Sequence, residues 1–314
     1  MAEYYLSNKN NYFRIEINSG SFPPGTRIFA QNGDDTIVSS VSPGSVSSQG
    51  LVLDGGRGDD SISLQWHSDN TLIGDRGEDR LEVVGYRNLL TGDNGRDTLI
   101  VQGVGNSLLG GSGDDTLQAS PGQEFPTQRG RTGFGNVLDG GQGDDLLVSS
   151  SRFNSWPFSN SSQKGQGNLL TGGPGRDSFQ ITTLGDLHVV NDTDGVLSAG
   201  DLVRSVMDVI TDIEAGERLL IAATTRVEGE VQLSALEQVH GPPAEPHRHV
   251  LLADGEYAAF RGTDLGAGAF EVGAAGPDLL VAWDPSDGID ESSASAANTV
   301  VLRGMTSLDG VLIA

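Results

Sequence analysis

Two rows of aliphatic residues recur along the first part of the chain, at matched places in a repeating unit. Ile28, Leu53, Leu72, Leu90, Leu108, Leu138 and Leu170 form one row, and Ile37, Ile62, Leu81, Leu99, Leu117, Leu147 and Phe179 form the other. Around both rows apolar and polar residues alternate, as in Leu-x-Val or Leu-x-Leu. Alternation is strand periodicity: it turns the aliphatic side chains to one face and their neighbours to the other. Between the two members of each pair lies a polar, glycine-rich turn. The pattern therefore predicts short strands joined by tight turns, repeated many times.

The turns themselves repeat. They read AQNGDDTI from Ala30, GGRGDDSI from Gly55, GDRGEDRL from Gly74, GDNGRDTL from Gly92, GGSGDDTL from Gly110, GGQGDDLL from Gly140 and GGPGRDSF from Gly172. Their template is G-[GD]-x-G-x-D-x-U, with U apolar. The sixth-position aspartates, Asp35, Asp60, Asp79, Asp97, Asp115, Asp145 and Asp177, are spaced by 25, 19, 18, 18, 30 and 32 residues. The basic period is 18, interrupted by insertions. Such a period is the signature of a stacked architecture, in which each coil buries almost nothing alone and stability comes from stacking. An 18-residue coil holds two short strands and two turns, and coils stack about 4.8 Å apart. The expected fold is all-β: a right-handed parallel β-roll or β-helix over 30–185, with an N-terminal β cap at 1–29 and a C-terminal β-rich cap at 186–314. Four positions before the motif stand Asn70, Asn88, Asn106, Asn136 and Asn168, which predicts a ladder of stacked amides.

Composition sharpens this picture. Glycine accounts for 45 of 314 residues and is spread along the repeats, so it belongs to the architecture and not to one linker. The net charge of −24 disfavours nucleic acid and anionic membrane as partners, since both need a basic footprint. Cysteine is absent, which removes disulfide scaffolds and thiolate metal sites. No apolar run approaches the length of a transmembrane segment. The opening MAEYYLSNKNNYF has neither a basic region nor an apolar stretch, so no Sec-type signal peptide is expected.

The acidic turns supply the candidate chemistry. One carboxylate per coil makes a column of like charges, and at about 5 Å each adjacent pair repels by about 1 kcal/mol in water and about 3–4 at an effective dielectric of 20. Further acids stand at the fifth position (Asp34, Asp59, Glu78, Asp114, Asp144) and at the second (Asp75, Asp93). Calcium relieves such a column because it accepts six to eight oxygens from carboxylates and backbone carbonyls in flexible geometry, whereas magnesium is smaller and dehydrates reluctantly. The expected ligands are the seven aspartates, with carbonyls from glycines at the first and fourth motif positions: Gly55, Gly58, Gly74, Gly77, Gly92, Gly95, Gly110, Gly113, Gly140, Gly143, Gly172 and Gly175.

With these residues in view, the turns resemble the RTX family, the glycine-rich nonapeptide repeats GGxGxDxUx of bacterial proteins exported by type I secretion. The resemblance implies calcium held between adjacent stacked turns, up to six ions for seven turns. It also implies an extracellular, calcium-binding protein. The chain departs from the simplest family pattern because its acidic turn recurs every 18 residues, so calcium is expected on one side of the roll only. The opposite turns, such as EVVGYRN and IVQGVGN, lack the aspartate, and the first motif carries Ala30 and Gln31 in place of glycines.

After Phe179 the repeats stop. DVITDIEAGERLLI (Asp208 to Ile221) resembles the segment that closes many RTX rolls, with Ile213 in place of the family's Phe. NDTDGVLSAGD (Asn191 to Asp201) is spaced either as an EF-hand-like calcium loop or as a capped acidic turn. The tail reads as a β-hairpin and a last strand, and its end, Asp309 to Ala314, is similar to uncleaved RTX export signals. His247 and His249 read as a solvated loop rather than as metal ligands. There is no HExxH or GxSxG, and too few residues precede the first turn for a catalytic domain, so no enzyme is expected. A structural or adhesive calcium-binding protein is the leading expectation. The alternative is a carbohydrate- or surface-binding module that uses aromatic and basic residues on the insertions, Phe125, Phe134, Phe153, Trp156 and Phe158 with Arg129, Arg131, Arg152 and Lys164.

Overall fold

The computed structural model describes residues 2–15, 23–40, 47–48, 50–120, 135–150, 166–182, 187–234, 248–284 and 298–314. The aromatic and basic residues named on the insertions lie outside these, as does His247. The described residues form strands and turns with no helix. None therefore forms a helix long and apolar enough to cross a membrane. The chain divides into two compact units, residues 1–148 with 171–178, and residues 149–170 with 179–314.

The first unit is the repeat region. One sheet runs through Glu3–Tyr5, Arg27–Phe29, Val52–Arg57, Thr71–Arg76, Leu89–Asn94, Ser107–Ser112 and Val137–Gln142, each strand parallel to the next. A second parallel sheet runs through Tyr12–Ile15, Thr36–Ser40, Ser61–Gln65, Arg80–Val84, Thr98–Gln102 and Thr116–Ser120. Apart from Ser47–Ser48 and His67–Ser68, which pair with each other, consecutive strands of this region alternate between the two sheets, which is the parallel β-roll that the 18-residue period predicts. The register places Ile28, Leu53, Leu72, Leu90, Leu108 and Leu138 side by side. It does the same for Ile37, Ile62, Leu81, Leu99 and Leu117. All of these are fully buried or nearly so, and they form the core between the sheets. A one-residue slip would expose both rows at once, so burial fixes the register.

The asparagine column forms the expected ladder. Asn70 and Asn88 each donate, through backbone N–H and side-chain Nδ2, to the Oδ1 of the next asparagine along, Asn88 and Asn106, at 2.9–3.1 Å. Asn106 does the same to Asn136 at 2.9 and 3.1 Å. Nδ2 of Asn88 and Asn106 also reaches the carbonyls of His67 and Gly85. Each amide is buried and doubly used. Asn106→Ala leaves the Asn88 donors without their acceptor and should lower stability by about 2–3 kcal/mol, or roughly 5–10 °C in melting temperature. Thermal unfolding checks this, and the loss should be the same at low and at saturating calcium.

The second unit is largely antiparallel. Glu256–Gly266 pairs with Ala269–Val272 and with Asp278–Trp283, which in turn pairs with Asn298–Leu302. DLLVAW and NTVVL carry continuous apolar runs and are buried at every position, so both faces of these strands are covered. Their core holds Val203, Phe270, Leu280 and Val301. The tail is the expected hairpin plus a last short strand, Leu312–Ile313, parallel to Arg218–Leu220.

Candidate functional site

Each acidic turn of the roll is built by backbone that few side chains tolerate. The second position takes a positive φ: 97° at Gly56, 76° at Asp75, 71° at Asp93 and 117° at Gly111. Aspartate is among the few non-glycine residues that visit this region readily, so Asp75 and Asp93 fit where other turns use glycine. At the fourth position the constraint is double. Gly95 has φ of 141°, and a Cβ there would meet the carbonyl oxygen of Gly77 in the preceding coil. The same stacking on the preceding coil's carbonyl recurs at Gly58, Gly77, Gly113, Gly143 and Gly175.

All seven sixth-position aspartates stand in one column, 1–2% exposed. Their carboxylates are ordered by a second ladder. Oδ1 of Asp60, Asp79, Asp97, Asp115, Asp145 and Asp177 accepts the backbone N–H of the aspartate one coil earlier, at 2.7–2.8 Å. The other oxygen is different. Oδ2 of Asp35, Asp60, Asp79, Asp97, Asp115 and Asp145 is buried without a hydrogen-bond partner. It lies against the first glycine of its own turn: Gly55, Gly74, Gly92, Gly110 and Gly140 each leave open a space in which a Cβ would strike that oxygen, and Gly172 does the same for Asp177. At Gly74, Gly92, Gly110 and Gly140 the carbonyl oxygen of the next coil's first glycine lies under 3.0 Å from the same point. A bare carboxylate oxygen and a carbonyl oxygen from the neighbouring coil therefore both lie close beside each of these glycines.

Burial pushes the carboxyls of Asp60, Asp79, Asp115 and Asp145 up to about 7 and that of Asp97 to about 6. Neighbouring acids add to the rise, and the backbone N–H on Oδ1 opposes it. An uncompensated carboxylate in this column is therefore disfavoured. Among the described residues no group of three or more acidic or histidine side chains converges on one point. A cation here would have to take most of its ligands from backbone carbonyls.

The fifth-position column, expected to add repulsion, is relieved by arginines that the repeat template does not mark. Arg96 and Arg176 occupy that position in two coils, and they pair with Glu78 at 2.9 Å and Asp144 at 3.0 Å. Asp34 and Asp59 turn Oδ1 toward the following coil, accepting the N–H of Asp59 and Glu78. This ladder runs opposite to that of the sixth position. A further turn, LSNKNNYF from Leu6, also escapes the template; it stacks on the first motif with Asn11 beside Asp35. Its signal in the sequence is the pair Asn10–Asn11, placed 24 residues before Asp34–Asp35.

Two features of the second unit bear on metal chemistry. In the Asn191–Asp201 segment, Asp192 accepts the N–H groups of Asp194 and Gly195 and pairs with Arg248 at 2.6 Å, while Asp201 accepts Ser198 N–H at 2.7 Å. This is the geometry of a capped acidic turn. His249 is not on a solvated loop: it is buried in a strand opposite His188, and the two rings meet edge to face at 5.0 Å. Strand pairing across a long separation in sequence put it there, and spacing along the chain carries no trace of that.

No family model matches the chain, and no curated protein matches it. The resemblance to RTX turns therefore rests on the seven motifs and on the residues in them.

Proposed function

We propose that the chain is a calcium-binding repeat protein of the RTX type, exported by a type I route, which acts outside the cell as a structural or adhesive element. The observation that carries this reading is the column of buried, unpartnered Oδ2 atoms, which in Asp60, Asp79, Asp97, Asp115 and Asp145 lie beside a glycine that leaves room for them and, in four of these turns, beside a carbonyl of the next coil. A buried carboxylate is tolerated when it is paired or bound to a metal. Hard oxygen ligands, flexible in number and drawn largely from the backbone, suit calcium better than magnesium or a transition metal.

Calcium bound only by the folded roll would couple folding to the ion. Each independent site at 100 times its dissociation constant adds about 2.7 kcal/mol, so several sites rival the net stability of a domain, about 5–15 kcal/mol. Low free calcium in the producing cell would leave the chain loose for export, and folding would follow outside. Titration of the metal-free chain with calcium, followed by circular dichroism and calorimetry, tests this. Gain of β signal with uptake of several ions is expected, and magnesium should not substitute. A spectrum and melting temperature indifferent to both chelator and calcium would refute the reading.

A further inference from the structure

The acidic column has a built end. Leu6–Phe13 lies one coil before the first motif, with Tyr12 and Phe13 in register with Thr36 and Ile37. Asparagines stand where the following turn holds Asp34 and Asp35. Asn10 Oδ1 accepts Asp34 N–H at 3.0 Å, and Asn8 Oδ1 accepts Asn32 Nδ2 at 2.9 Å. Asn11 donates twice to Asp35 Oδ1, from its backbone N–H and from Nδ2, both at 2.6 Å.

Building on the calcium reading above, we propose that Leu6–Phe13 is a neutral capping turn and that, together with Ala30, it sets the N-terminal boundary of the cation array. Oδ1 of Asp35 is then held by amide donors, its bare Oδ2 lacks the glycine that the other turns set beside theirs, and the first ion-binding aspartate is Asp60. Two observations mark Asp35 as different. Its Oδ1 receives two donors from Asn11, one of them a side-chain amide, whereas Oδ1 of Asp60, Asp79, Asp97, Asp115 and Asp145 receives a single backbone N–H. And Ala30, fully buried, puts a methyl group where the other six turns have the glycine that leaves room beside the carboxylate. An aspartate at position 11 would turn an acceptor toward Asp35 and extend the like-charge column by one. The asparagine ends it.

The test uses the full chain and two readouts. Calcium stoichiometry from calorimetric titration should be the same for wild type and Asp35→Asn, and lower by at least one ion for Asp97→Asn. At a fixed low calcium concentration that keeps the wild type folded at neutral pH, Asn11→Asp should lower the melting temperature by about 5 °C or more. Loss of an ion in Asp35→Asn would overturn the boundary, and an unchanged melting temperature in Asn11→Asp would overturn the cap. A wild type that takes up no calcium would instead overturn the function proposed above and the boundary with it. The melt of Asn11→Asp against wild type in the same buffer would still decide the cap.

Discussion

Gly92→Ala is expected to destabilise the roll by about 3 kcal/mol, a fall of roughly 6–12 °C in melting temperature, and to weaken calcium binding in the same protein. The backbone of Gly92 is not in the left-handed region, so the effect is steric. Its Cβ would meet Asp97 Oδ2 and the Gly110 carbonyl oxygen, both under 3.0 Å away. The carbonyl belongs to a paired strand and cannot retreat without disturbing the next coil, so the carboxylate must shift. Gly95→Ala should cost as much for another reason, since its φ of 141° is strained for any side chain and Gly77 O blocks the space. Gly273→Ala is the control. Nothing lies within 4 Å of its added Cβ, and a change within about 0.5 kcal/mol is expected. Melting curves of the three variants at saturating and at low calcium separate the effects. If Gly92→Ala melts with Gly273→Ala, the space beside the carboxylate is not the constraint described here.

The first half of this fold was legible because its information is local and repeated. The two aliphatic rows, Leu53 to Leu138 and Ile62 to Leu117, recur at positions whose only consistent placement is the inside of stacked coils, and the asparagine ladder follows from the same period. The sixth-position aspartates were legible as a column for that reason. What each carboxylate does with its two oxygens was not, because the Oδ1 ladder depends on a backbone N–H one coil away. The end of the column escaped the template, since Asn10–Asn11 differs from Asp–Asp by charge, and the turn around it keeps none of the glycines. Beyond Phe179 the limits are of another kind. The strands Glu256–Gly266, Asp278–Trp283 and Asn298–Leu302 pair through register between unlike sequences, without a period to reveal it. The burial of His249 against His188 belongs to this class of long-range pairing.

Without metal, the roll should be most stable in mild acid and lose stability as pH rises toward neutrality. Asp60, Asp79, Asp115 and Asp145 titrate at about 7 in the fold and Asp97 at about 6, each raised first by burial. A carboxyl whose folded pKa lies above its unfolded value binds its proton more tightly when folded. Its stabilising contribution is complete below the unfolded value of about 4 and is gone once pH has passed about 7. Raising a pKa by one corresponds to about 1.4 kcal/mol. Even that much from each of five carboxyls comes to about 7 kcal/mol, on the scale of a domain's whole stability. His67 works in the opposite sense: burial lowers it to about 4, so it withdraws stability as pH falls below its ordinary value of 6.5. One histidine is outweighed by five aspartates. Asp144, held low by the backbone N–H and guanidinium of Arg176, also favours higher pH, but it sits on the exposed column, where solvent screens it. Calcium should invert the profile, because it binds the deprotonated carboxylates and its affinity rises with pH across the same range. Melting temperatures of metal-stripped protein should therefore fall between about pH 5 and pH 8, while those in saturating calcium should rise. A metal-free profile that is flat or rises over this interval would mean that the Oδ2 atoms are compensated in the apo fold, and the electrostatic demand for a cation would then be absent.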